Sequence, residues 1–144
     1  MDPRFFQELS EVEALERLAS VSVGRIVFTH RALPAVRPVN HIVANGHIII
    51  RTDPDTVLGR KVMPSGTVVA FETDELDMAE HLGWAVTVTG TARAVDDPWE
   101  ATRFKDLLRP WLVGDMDQVI RIHPQIITGF TLVPSSTADG SAQR

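Results

Sequence analysis

The sequence predicts a mainly β protein, a small antiparallel, Greek-key-like barrel with two to three peripheral helices. Three observations carry that expectation. About seven short β-branched and aromatic runs recur along the 144 residues, separated by Gly, Pro and Asn turn signals. The longest, Gly83 to Val95, alternates, with Trp84, Val86, Val88, Gly90, Ala92 and Ala94 on one face. The nine glycines are dispersed and form no strand-linked fingerprint, which argues against a dinucleotide-binding α/β fold.

The elements follow in order. Ser10 and Glu13 have capping-box spacing, and Val12, Leu15, Leu18 and Ala19 then share a stripe, predicting a helix over 10–20. Gly24 to Thr29 reads as the first strand, and Pro34 opens the next after a short turn. Val36–Val43 and His47–Thr52 are expected to pair through Asn45-Gly46, the strongest short-range hairpin signal present. Asp53-Pro54-Asp55 halts that strand, and a short helix can run to Lys61 before Pro64 and Gly66 end it.

Thr67 to Thr73 is another strand, followed by Asp74, Glu75, Asp77 and Glu80, which read as a solvated loop or short helix. In the long strand after it, Gly90 suggests a bulge. Pro98 starts a helix carrying Trp99, Thr102, Phe104, Leu107 and Leu108, which Pro110 terminates. Gln118–His123 and Ile126–Val133 are the last two strands, with Pro124 between them. Residues 1–133 form one domain, and the Ser/Ala/Gly-rich 134–144 is expected to be a disordered tail.

Composition narrows the function classes. A net charge of -5 without a Lys/Arg block disfavours nucleic acid, and zero cysteines exclude disulfides and thiolate chemistry. No apolar run approaches the roughly 18 residues of a membrane helix, so a cytoplasmic protein with no membrane partner is expected. Mean hydropathy near zero, with 44% apolar residues, is compatible with a surface covered by a second copy.

The local chemistry gathers around the hairpin. Arg51 and Thr52 close the Ile-rich strand, and Arg60-Lys61 follow one short helix later. Guanidinium, hydroxyl and ammonium together can hold a phosphate, with apolar strand backbone beside them for a ring, which suits a flavin-type ligand. The alternative is an edge arginine paired with Asp53 or Asp55 and a solvated lysine.

Arg37, Pro38, Val39, Asn40 and His41 form a second cluster, in which Pro38 frees neighbouring backbone groups to meet a ring edge; an outward strand histidine is the other reading. Trp84 can stack on a ring or fill the core. Trp99, Phe104 and Trp111 supply aromatic bulk suited to a lid or subunit contact. The five histidines show no metal-ligand spacing, no metal is expected, and no serine sits in a nucleophile elbow.

Val23-Gly24-Arg25-Ile26-Val27-Phe28, Arg37-Pro38-Val39-Asn40, Ile50-Arg51-Thr52, Val69 to Asp74, Gly83 to Ala92 and Ile122-His123-Pro124 with Thr128-Gly129 occur in a telling order. In that order the chain resembles the pyridoxamine 5'-phosphate oxidase-like family of FMN-binding split barrels, in its small actinobacterial members. The resemblance implies a split barrel and a homodimer with two FMN sites at the interface. It also implies that the backbone of Pro38 to Asn40 approaches the isoalloxazine, with Arg37 beside it. Arg51 and Thr52 would lie at the ribityl-phosphate end, Lys61 would reach the phosphate with Arg60 helping it offset Asp53 and Asp55, and Trp84 would sit near the cofactor or the seam.

His41 is the proton donor nominated near the ring. The function this implies is an FMN-dependent oxidoreductase acting on a small substrate or electron acceptor. Residues resembling the substrate-phosphate site of the true vitamin B6 oxidase are not recognisable, so a different substrate is expected. The deazaflavin F420, a non-catalytic ligand-binding dimer and a structural dimer with a decayed site remain the alternatives.

Overall fold

Alternation decides the central hairpin. In β6 (Thr67–Asp77) and β7 (Leu82–Ala94), Val69, Phe71 and Thr73 face Trp84, Val86, Val88 and Ala92 in one interior while their neighbours point outward. Burying each large apolar side chain there is worth about 1.5–3 kcal/mol, which fixes the register, since a one-residue slip would turn the set outward. The computed structural model describes residues 4–109 and 116–134.

Around this hairpin stand β1 (Arg4–Glu8), β2 (Val23–His30), β3 (Leu33–Asn40), β4 (Ile42–Ala44), β5 (His47–Thr52) and β8 (Gln118–Pro134). The ladder order is β3-β2-β6-β7-β8-β5-β4, every pairing is antiparallel, and β1 adds to β8. The sheet curls into a half-barrel with, among the described residues, three helices, α1 (Glu11–Ala19), α2 (Val57–Lys61) and α3 (Pro98–Leu107). The expected mainly β fold is therefore present. Among the described residues no ladder joins β3 to β5, although the two approach each other, so the barrel is split between them.

Several local expectations hold. The Ser10–Glu13 capping box opens α1, both of its hydrogen bonds being 3.1 Å, and α1 lays Ala14 and Leu18 into the core. Asp97 caps α3 ahead of Pro98. Gly90 marks a register shift against Pro124, where an added Cβ would overlap the His123 carbonyl oxygen.

Others are corrected. The strand expected over Val36–Val43 breaks at His41, whose amide donates to the Ser22 carbonyl (2.9 Å), so β3 pairs with β2 and only β4 enters the Asn45-Gly46 hairpin. The acidic stretch after Thr73 continues β6 to Asp77, because Glu72 and Asp74 meet Arg25 on the outer face at 2.7 and 3.3 Å. The last two strands are one, since β8 pairs in turn with β5, β7 and β1 across the irregularity at Pro124. The first strand was not anticipated. The helix expected to run to Pro110 ends at Leu107, with Leu108 as its C-cap; Pro110, Trp111 and the tail from residue 135 lie outside the described residues.

Candidate functional site

The split holds a cavity of about 280 Å³. One lip is Arg37, Pro38 and Val39 on β3, and the other is Arg51 and Thr52 at the end of β5. Strand order brings these together: β3 ends the sheet on one side and β5 lies one strand from the other end. Sequence reasoning named all five.

Thr56, Val57 and Leu58 supply the floor. Thr56 caps α2, accepting from the Gly59 amide at 3.1 Å, which sets the chain against β8. A side chain at Gly59 would collide with the Asp53 carbonyl and Gln118, and Gln118 Nε2 instead donates to the Gly59 carbonyl at 3.1 Å. Phe28 and Met116 complete the apolar wall. Phe28 was foreseeable from β2 alternation with Gly24 and Ile26, and Thr56 from its capping position; Met116 carries no sequence signal.

Arg51 does two things. Its Nε donates to the Met116 carbonyl (2.8 Å) and its Nη1 to those of Leu108 (3.1 Å) and Lys105 (3.4 Å), while Nη2 makes no hydrogen bond among the described residues. The edge pairing with Asp53 or Asp55 is absent; Asp53 instead accepts from the Asp55 amide at 2.9 Å. Asn40, on the other lip, donates from Nδ2 to the Arg109 carbonyl at 2.9 Å. Arg51 and Asn40 therefore tie Leu108, Arg109 and Met116 to the two edges of the split.

Five expected site residues lie outside the cavity lining. Asn40 braces the lip without lining the cavity. Arg60 donates to the Asp55 carbonyl, and Lys61 closes α2 outside the cavity lining. Trp84 is a core residue, 4% exposed, with Arg17 over its ring.

His41 is also buried, at 2% exposure, with its ring edge-on to Phe71 and its Nε2 donating to the Leu18 carbonyl at 2.9 Å. Burial pushes its pKa down, partly opposed by that hydrogen bond, and its Nδ1 has no hydrogen-bond partner among the described residues. The break after Asn40 turns it into the core and away from the split. It is not positioned as a proton donor there.

The cavity thus combines guanidinium and hydroxyl groups with apolar side chains, with neither carboxylate nor imidazole among the described residues lining it. That donor set fits a ligand with a flat apolar ring and an anionic tail. Arg37 is exposed, its Nη1 on the Val36 carbonyl at 3.0 Å and its guanidinium over Phe28, leaving countercharge at the mouth.

Residues 10–131 match the pyridoxamine 5'-phosphate oxidase family. The chain belongs to that family. It is 47% identical over 132 residues to the uncharacterized protein Rv0080 of Mycobacterium tuberculosis, covering 90% of this chain and 87% of that one. A Corynebacterium glutamicum structure provisionally described as a pyridoxamine 5'-phosphate oxidase is 38% identical, with a TM-score of 0.75 over 91% of this chain and 95% of the other. The FAD binding protein from Mycobacterium smegmatis is 30% identical, with a TM-score of 0.70 over 87% and 97% of the two chains. Among the described residues, no helix of this family member is long and apolar enough to cross a membrane.

Proposed function

We propose that the chain is a homodimeric, FMN-dependent oxidoreductase that passes electrons to or from a small substrate. The observation that carries this reading is the cavity at the barrel split, whose lining joins the cationic and hydroxyl groups of Arg37, Arg51 and Thr52 to the apolar Phe28, Val39 and Leu58. A flavin bound there would supply the redox chemistry. The protein's part is to hold the phosphate end with Arg37, Nη2 of Arg51 and the hydroxyl of Thr52, to seat the ring along Pro38 and Val39, and to exclude water. Among the described residues no carboxylate or imidazole lines the cavity, which leaves substrate, solvent or the second copy to supply protons to the ring.

The FAD named for the Mycobacterium smegmatis relative supports a flavin. A volume at the lower edge of the roughly 300–1,000 Å³ usual for small-molecule sites supports a second copy completing the wall. Beside the cavity, β3 is an edge strand that exposes Leu33 and Val36, a surface such a copy would cover.

The test is to titrate the purified protein separately with FMN, FAD and F420 by absorption and fluorescence, then supply NAD(P)H without oxygen to the complex. Saturable FMN binding and bleaching of the flavin band support the reading. Preference for F420 would move the protein to deazaflavin chemistry, and binding without reduction by any donor would leave a carrier.

A further inference from the structure

A second cluster, unconnected with the split, lies where β5, β7 and β8 run side by side. Two rows cross these strands. In one, Thr91 pairs with His123, and His47 follows on β5; in the other, Arg93 pairs directly with Arg121, and Ile49 follows. The five polar residues line an open cavity of about 420 Å³ that shares no residue with the flavin cavity.

Like charges directly opposite on paired strands destabilise a sheet. Glu100 on α3 answers one of them, with Oε2 at 2.6 Å from Arg121 Nη2. Arg93 is exposed and makes no ion pair among the described residues. The two imidazoles hydrogen-bond one another, His47 Nε2 to His123 Nδ1 at 3.1 Å, so one proton serves both nitrogens. Burial pushes the His47 pKa down first, then the nearby Arg121 and His123 charges, with Glu100 opposing. A group with negative charge between the rows would offset the Arg93–Arg121 repulsion and the downward push of Arg121 on His47. A cation would meet two guanidiniums, and among the described residues no third metal-ligating group joins the histidine pair.

We propose that His47, Arg93, Arg121 and His123, with the Thr91 hydroxyl, form a binding site for a phosphate-type dianion, carried either by a small phosphomonoester or as free oxyanion. The planar guanidiniums match two oxygens each, and the His47 imidazole adds a donor as it protonates. Binding therefore tightens toward acid.

The experiment follows the imidazole C–H resonances of the intact protein by NMR while sulfate, inorganic phosphate or ribose 5-phosphate is added. Sulfate keeps its double charge over the range used, so its pH dependence reports the protein. Saturable shifts at His47 and His123, with affinity for sulfate rising several-fold as pH falls from about 8 to about 6, are the expected result. Arg93→Gln, an exposed change, should weaken binding at least 5-fold while leaving FMN binding unchanged. Stronger binding of the ester than of inorganic phosphate assigns a phosphomonoester, and the reverse assigns a free oxyanion. Shifts that fail to saturate, that sodium chloride reproduces at equal ionic strength, or that survive Arg93→Gln unaltered would overturn the proposal.

Discussion

Arg51→Met separates bracing the site from binding its ligand. Methionine keeps the apolar stem and removes the fork that holds the carbonyls of Met116, Leu108 and Lys105 at 2.8, 3.1 and 3.4 Å. Two of these bonds are well formed. At about 1.5 kcal/mol each, the lower value for a charged donor because the group is half-buried, their loss costs about 3 kcal/mol.

For a domain of this size that lowers Tm by about 9 °C, readable by calorimetry on the ligand-free protein. Asn40→Ala, which removes one neutral bond to Arg109, should cost about 1 kcal/mol. Because both residues hold the same flanks, the double variant should lose less than the sum of the two. Arg51→Lys should recover under half of the loss, since one ammonium cannot reproduce the fork. A Tm for Arg51→Met within about 1 °C of the parent, with FMN binding abolished, would refute the bracing role and leave Arg51 a ligand contact alone.

Three further outcomes are expected. Arg37→Gln should weaken FMN binding about tenfold by fluorescence titration while Tm stays put, because its side chain is exposed and bonds a single local carbonyl. His41 has a pKa lowered from 6.5, so the unfolded chain takes up a proton first and its stabilising contribution, complete above that value, is lost as pH falls toward the folded pKa. His41→Leu should accordingly flatten the decline of Tm between about pH 7 and pH 5 in thermal scans. Gly90→Val should cost more than about 3 kcal/mol in urea unfolding, since its Cβ would occupy the His123 carbonyl position at the bulge.

What the sequence showed, and what it hid, follows the range of the forces involved. The buried face of β7, the capping box of α1, the Asn45-Gly46 turn and the Gly90 bulge are local signals, and all are present. β1 was missed because Phe5 and Phe6 lack a turn or alternation long enough to mark a strand; its partner, β8, lies more than a hundred residues away. The acidic end of β6 looked like loop because the Arg25 that pairs with it is contributed by β2.

At the site, strand identity was legible and side-chain direction was not. Arg37, Pro38, Val39, Arg51 and Thr52 meet as their motifs suggested. His41 and Asn40 leave the cavity because the chain breaks between them, a break set by the tertiary bond from the His41 amide to Ser22. The histidine pair passed unnoticed because its members are 76 residues apart and become neighbours through the β5–β8 ladder.

The most direct test of the central claim is where a flavin lands. Backbone amide shifts should be followed by NMR as FMN is added to the isotopically labelled protein. The account predicts saturable perturbations centred on Val39, Thr52 and Thr56, with Trp84 and His41 largely still. Perturbations centred on Trp84 or His41, with the split unaffected, would contradict it.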